Sequence, residues 1–336
     1  MMNRRTFLCG LTLGTLSAPI TAEAQQAGKV YRMAFVHPSM PVADLTDEKD
    51  PRSYKVLFSE LRRLGYVEGK NLVVERRSGG GRAERYQDLA REVVQLKPAL
   101  ILTVSTRLVR AFKAATTTIP VVGITADPVA GGLVASLARP GGNITGFSTE
   151  AGDEIVGKRL ELLREVIPKL SRVAILAPRA IFAGSYYPAM RESAQRAGLT
   201  LVEAQLDDPI QEPEYRRAFG LMARAGAQAL YAVDAAENFM HRRVIVELAK
   251  QARLAAMYPN RESVEAGGLM AYGTDRAELF RGAAGYIARI FEGAHAGDLP
   301  YQQAKKFELV INLKTAKALG LTIPQSLLIR ADQVIE

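Results

Sequence analysis

The chain has 336 residues, and its 44 lysines and arginines exceed its 35 aspartates and glutamates, so that the formal net charge is +9. With 48% hydrophobic and 24% charged residues, it has the composition of an ordinary globular protein and is long enough for two domains. Basic residues are scattered among acidic ones and form no run with interleaved aromatics, so we expect no nucleic-acid partner. The only cysteine, Cys9, excludes a disulfide framework within the chain.

The N-terminus has the pattern of an export signal. Arg4 and Arg5 precede an apolar run, residues 6–16, that is too short to span a membrane, and Ala22-Glu-Ala24 supplies small residues for cleavage. We therefore expect residues 1–24 to be a signal peptide cleaved near Ala24, and the mature protein to be periplasmic. Two adjacent arginines are also typical of twin-arginine export, and the choice between that route and Sec stays open.

The next part of the chain alternates between predicted strands and helices. Residues 30–36 form an apolar strand that ends at His37 and Ser39. Leu100-Ile-Leu-Thr-Val104 is another strand, followed by Ser105 and Thr106. The β-branched run 119–124 ends at Thr125 and Asp127, where Asp127 and Pro128 together predict the start of a helix.

A second set with the same alternation follows. Its strands end at Arg179, Asp234 and Tyr258, and the glycine-bounded stretch 267–273 contains Tyr272. Short connections between alternating strands and helices predict parallel sheets covered on both faces. We expect an α/β fold with two similar doubly wound lobes and a ligand cleft and hinge between them. The expected lobes comprise residues 28–146 with about 274–300, and residues 147–273 with about 301–336.

Four segments carry a family resemblance. They are the stretch DPVAGGLVASLARPGGNITG that begins at Asp127, the stretch LRRLGYVEGKN from Leu61 to Asn71, GKRLELL from Gly157 to Leu163, and the stretch from Phe307 to Pro324. The chain resembles the substrate-binding proteins of ABC transporters of the tryptophan/tyrosine-binding type. That resemblance implies a type I periplasmic binding fold and an inner-membrane ABC permease as partner. We expect the protein to be a monomer.

Candidate ligand contacts follow from the rule that open α/β sheets bind ligands beyond the carboxyl ends of their strands. Hydroxyls and helix N-termini suit a carboxylate, acids suit an ammonium group, and tyrosines suit a ring. Each residue also has a structural alternative, since Asp127, Ser105 and Thr106 can cap helices and the tyrosines can pack at the hinge. The candidates are His37, Ser39, Ser105, Thr106, Thr125, Asp127, Arg179, Asp234, Tyr258 and Tyr272.

These observations predict a receptor that captures a small polar solute, an amino acid or related carboxylate, by lobe closure and delivers it to a permease. The alternative is an extracytoplasmic sensing module that presents the solute to a signalling receptor. No G-x-S-x-G, Walker or G-x-G-x-x-G motif is present, and the three histidines lack metal-ligand spacing, so we expect no enzyme, cofactor or metal. The family usually has Asn-Pro at the end of the first strand of the second lobe, where this chain has Ala177-Pro178-Arg179. The amide is lost there, and the guanidinium that is gained suits a carboxylate or a phosphate.

Overall fold

The computed structural model describes residues 28–46, 52–149, 154–184 and 186–336. The expected export signal lies outside these residues. The first lobe is built on a sheet in which all strands run parallel. Its strands, in spatial order, are β11 (Gln302–Gln303), β5 (Ile144–Ser148), β4 (Val121–Thr125), β3 (Leu100–Val104), β1 (Tyr31–His37) and β2 (Leu72–Ser78).

The second lobe has a sheet of the same kind, except that β12 runs antiparallel to β10. Tyr272 of β10 lies opposite Leu309 of β12 in that register. The strands, in spatial order, are β13 (Gln333–Ile335), β12 (Phe307–Asn312), β10 (Met270–Thr274), β9 (Ala255–Tyr258), β8 (Ala229–Ala232), β6 (Arg172–Pro178) and β7 (Thr200–Leu206).

Helices cover both faces of each sheet because the strands are apolar on both sides, as in β3 and β4, where every residue is buried. Over the first sheet lie Arg52–Arg63 and Arg276–Phe291 on one face and Tyr86–Gln95 and Thr106–Ala115 on the other. Over the second sheet the longer helices are Glu154–Val166, Tyr186–Arg196, Glu212–Arg224 and Arg242–Gln251. The shorter ones are Arg179–Phe182, Ala236–Met240, Arg261–Glu265, Leu313–Leu319 and Gln325–Arg330, and short 3₁₀ turns occupy Val42–Asp44, Ala83–Arg85 and Ala296–Asp298.

The predicted fold class, two doubly wound α/β lobes, is confirmed. The strand pairing differs from the expected lobe boundaries, however. The whole of β5 pairs with β4, so the first lobe extends to Ser148 rather than 146. The short strand β11 also joins the first sheet, so the last crossing follows residue 303 rather than 300. Within the described ranges, no helix is both long and apolar enough to cross a membrane.

The chain passes between the lobes at three adjacent places, after Ser148, at Thr274 and after Gln303. They are tied together by hydrogen bonds: the Thr274 hydroxyl donates to the Thr149 carbonyl at 2.6 Å, and the Ala304 amide donates to the Ser148 carbonyl at 3.0 Å. Glycines at 141, 142, 146 and 273 predict the hinge from the sequence. Gly273 does lie next to the crossing at Thr274, but the prediction is wrong for the other three. Gly146 lies inside β5 opposite Gly123, where a side chain would strike the Gly123 backbone, and the other two precede that strand.

Candidate ligand-binding site

The carboxyl ends of the strands of both sheets face each other across a cavity of about 160 Å³. A single water needs only about 10–15 Å³ by the same measure, so the space suits a small solute. Five of the ten candidate residues line it: His37, Ser105, Thr106, Thr125 and Asp234. Other lining residues include Arg107, Thr149, Glu237, Phe239 and Arg276 and the apolar side chains of Val104, Ile124, Pro178 and Ile181.

His37 is the last residue of β1 and is buried. Its Nδ1 accepts two backbone hydrogen bonds, from the amide of Ser39 at 3.1 Å and from that of Met40 at 2.8 Å. The ring proton is therefore on Nε2. Burial, helped by the positive charge of Arg276, lowers the pKa of His37 to about 3. The ring is thus a neutral donor to the cavity at ordinary pH.

The helix Thr106–Ala115 begins at the cavity wall, and Ser105 precedes it. Ser105 has a φ of 80°, which non-glycine residues rarely adopt and which costs about 1–3 kcal/mol. No side chain caps this helix, so its first amide groups keep their hydrogen-bonding capacity beside the cavity. Such a helix start favours negative charge through its free N–H groups and its dipole. The nearby Thr125 hydroxyl is held by Tyr301 at 2.9 Å.

Asp234 follows β8 and faces the cavity from the second lobe. Its side chain is 27% exposed and lies 3.7 Å from the guanidinium of Arg276, which starts the helix Arg276–Phe291 of the first lobe. Burial alone would lower the pKa of Arg276, but Asp234 and Glu262 outweigh it and leave that pKa raised. Arg276 also lies over the Phe239 ring at 5.2 Å. The cavity therefore holds a cation beside a carboxyl group.

A small pocket next to the cavity contains a further cation, Arg159, whose residue is buried. Its Nε donates to the carbonyl of Tyr272 at 2.6 Å, and one terminal nitrogen donates to the hydroxyl of Tyr231 at 2.8 Å. These two bonds tie the helix Glu154–Val166 to β10 and β8 of the second sheet. Since Arg159 shares this pocket with Asp234 and Arg276, it contributes positive potential to the same end of the site.

Several contacts join the lobes across the cavity. The Ser39 hydroxyl of the first lobe donates to the Ala236 carbonyl of the second at 3.3 Å. Arg107 and Glu237 approach to 3.4 Å, again from opposite lobes. Phe239 packs into the hydrophobic core of the first lobe. The structure therefore has its lobes closed on each other.

The remaining candidate residues lie elsewhere. Asp127 lies outside the cavity, in a groove at its rim, where its Oδ1 accepts from the amides of residues 129 and 130. Residues 128–142 form turns and irregular loops, and the predicted helix does not form. Arg179 points into solvent and pairs with Asp207 at 2.7 Å. Tyr258 is buried in the core of the second lobe. Tyr272 stacks on Phe307 away from the cavity. These four residues do not line the cavity, so the prediction that they do is wrong.

Sequence reasoning missed Arg107, Arg159, Glu237, Phe239 and Arg276. Arg276 was within reach of the strand-end rule, because it comes two residues after β10 and starts the next helix. The others lie further into helices, and nothing in their spacing marks them. Within the described residues, no group of three His, Cys, Asp or Glu side chains could hold a metal ion.

Comparisons with known proteins agree with this architecture. Residues 51–335 match the family described as ABC transporter substrate binding protein. The chain belongs to that family. It is 25% identical over 273 residues to a tyrosine-binding protein of Clostridioides difficile (strain R20291), covering 80% of this chain and 77% of the relative.

Two solved structures are similar over 91% of this chain and 100% of their own. A conserved domain protein from Vibrio cholerae O1 biovar El Tor superposes with a TM-score of 0.81 at 28% identity. An ABC domain from Streptococcus pneumoniae, crystallised with L-Trp, superposes with a TM-score of 0.79 at 22% identity. The type I periplasmic binding fold expected from the resemblance is thus confirmed, and the protein is a substrate-binding protein of the ABC transporter type.

Proposed function

We propose that this protein is an extracytoplasmic receptor that binds a zwitterionic amino acid with an apolar side chain and delivers it to an ABC permease. The observation that carries the proposal is the opposite polarity of the two sides of one cavity between the lobes. A helix start with free amides lies on the first-lobe side, and the carboxyl group of Asp234 lies on the second-lobe side.

The solute carboxylate would bind at Ser105 and Thr106. The free amides at the start of the helix Thr106–Ala115 and the two hydroxyls supply donors, and the Nε2–H of His37 adds a neutral one. Donors fixed by backbone geometry need no reorganisation on binding, which favours affinity. The unfavourable φ of Ser105 agrees with a residue held in position for a ligand.

The solute ammonium would bind at Asp234, whose carboxylate is partly exposed to the cavity. Arg276 offsets only part of that charge at 3.7 Å, a distance longer than a hydrogen bond. Val104, Ile124, Pro178, Ile181 and Phe239 would contact the apolar part of the solute. The tyrosine-binding relative supports an amino acid as the ligand class.

The experiment is native mass spectrometry of protein purified without refolding, because a retained solute identifies itself by mass. Calorimetry then compares L-tyrosine and L-tryptophan with two analogues of tyrosine, tyramine without the carboxylate and 3-(4-hydroxyphenyl)propionate without the ammonium. We expect both analogues to bind at least about thirtyfold more weakly, since tyramine leaves the donors at Ser105 and Thr106 without an acceptor and the propionate leaves Asp234 without the ammonium group. Equal binding of the propionate would contradict the zwitterion proposal and favour a simple anion held by Arg276.

A further inference from the structure

A second, smaller polar pocket lies between the lobes beside the ligand cavity, and Arg276 lines both. Its walls include Ser53 and Arg276 from the first lobe and Arg261, Glu262 and Glu308 from the second. Its volume is about 10 Å³, roughly the space of one water. Two buried oxygens that line it, Ser53 Oγ and Glu262 Oε2, have no hydrogen-bond partner among the described residues. We call this the interlobe acid pocket.

Glu262 is 9% exposed and faces Tyr54 and Arg276 of the first lobe. An ionised carboxylate with an unsatisfied oxygen is unfavourable in such a place, and a proton on the carboxyl group removes that cost. Burial accordingly raises the pKa of Glu262, although Arg276 and Arg242 oppose that rise and Glu265 adds to it. The geometry and the electrostatics agree that a proton is favoured here.

Glu308 is 8% exposed and accepts a hydrogen bond from Arg261 at 2.8 Å. That bond favours the ionised form. Burial nevertheless raises the pKa of Glu308 to about 7, because the negative charges of Asp275 and Glu262 help it to outweigh Arg261 and Arg52. Glu262 and Glu308 repel each other, so the two titrate as a coupled pair.

We propose that lobe closure is coupled to the uptake of about one proton by the Glu262–Glu308 pair, so that mild acid favours the closed receptor. The proposal rests on the proposed opening and closing of the lobes, but not on the identity of the solute. On opening, the first-lobe side of the pocket, with Ser53, Tyr54 and Arg276, withdraws from the two carboxylates and water reaches them. Their pKa values then return toward the ordinary glutamate value.

The direction of the pH effect follows from the linkage between proton binding and lobe closure. The closed form holds the pair with raised pKa values, so it binds more protons than the open form between the ordinary glutamate pKa, about 4.3, and about 7. Closure is therefore favoured as pH falls through that window and is independent of pH above it. Asp275 does not titrate there, since Lys306 keeps its pKa low despite burial. His37 opposes the effect only in part: burial is the main cause of its low pKa and opening relieves some of that burial, but Arg276 and the two backbone amides that donate to Nδ1 belong to its own lobe and stay in place.

The test measures closure without any solute. Cysteines replace Gln87 of the first lobe and Gln211 of the second, both exposed, in the full chain carrying Cys9→Ser, and a pair of pH-insensitive fluorophores reports their distance. We expect the closed-to-open ratio to rise by up to about tenfold per pH unit between pH 7 and pH 5. The double variant Glu262→Gln, Glu308→Gln should abolish this dependence. Glu265→Gln, an exposed neighbour on the same short helix, should retain it.

If the double variant does not unfold cooperatively, Glu262→Gln alone takes its place in the test, because it keeps the Arg261–Glu308 ion pair. Glu262→Gln should by itself reduce the dependence of the closed-to-open ratio on pH. A ratio that stays constant from pH 5 to pH 8 in the parent chain would overturn the proposal. So would a slope that survives both substitutions, or one that disappears in Glu265→Gln. Because no solute is added, failure here leaves the proposed amino-acid specificity untouched.

Discussion

Replacing Asp234 by asparagine keeps the shape of the side chain and removes the charge proposed to hold the solute ammonium. Removing one partner of a buried charge pair costs about 3–5 kcal/mol. Asp234 is 27% exposed and shares its charge with Arg276, so a smaller loss of about 2–3 kcal/mol is appropriate. At 1.4 kcal/mol per factor of ten, calorimetry should show roughly 30- to 150-fold weaker binding of the retained solute.

The matched control is Asp127→Asn, which removes the same charge near the rim of the same cleft. Asp127 Oδ1 accepts from the amides of Val129 and Ala130 at 2.8 and 2.9 Å, and an asparagine oxygen can accept the same bonds. Affinity should therefore change less than about threefold, or roughly 0.6 kcal/mol. An equal loss in both variants would mean that only the net charge of the cleft matters. No loss at Asp234 would refute its role as the ammonium contact.

Three further predictions concern other parts of the chain. Arg179→Ala should leave the unfolding midpoint and the affinity for the retained solute unchanged, since its pair with Asp207 is exposed; a large loss of affinity would return Arg179 to the site. Gly146→Ala should lower the free energy of unfolding in urea by at least about 2 kcal/mol, because its Cβ would lie 1.8 Å from the Gly123 carbonyl oxygen. Gly157→Ala has open space on its helix and should raise the free energy of unfolding by about 0.5–1 kcal/mol. N-terminal sequencing of periplasmic material should begin near Gln25, and lysines in place of Arg4 and Arg5 should block export only on the twin-arginine route; an intact Met1 would contradict cleavage.

The alternation of strands and helices was predictable because both sheets are buried on both faces, so their strands are short apolar runs between polar connections. The strand-end rule also located His37, Ser105, Thr106, Thr125 and Asp234 near the cavity. It works for these residues because the carboxyl ends of parallel strands meet at one edge of each sheet.

The same rule fails where the direction of the side chain decides. Tyr258 ends β9, but strand side chains alternate between faces and its own points into the second-lobe core. Arg179 turns outward to Asp207 on a short helix. Asp127 bonds its own loop because no helix follows. Arg276 is contributed by a helix that returns to the first lobe late in the chain, and that partnership is set by tertiary packing.

The contacts across the closed cavity suggest why closure could be reversible. Arg107 is 42% exposed in its pair with Glu237, and an exposed pair of this kind contributes about 0–1 kcal/mol. The Ser39–Ala236 hydrogen bond is long at 3.3 Å, and the Asp234–Arg276 pair is longer still at 3.7 Å. Phe239 buries a large apolar side chain in the opposite lobe, and Phe307 packs partly buried against the same core. Weak polar contacts of this kind leave the open and closed forms close in free energy, so that a solute bridging Ser105 and Asp234 can decide between them. A proton on the interlobe acid pocket acts on the same balance, so the two contributions to the free energy of closure should add.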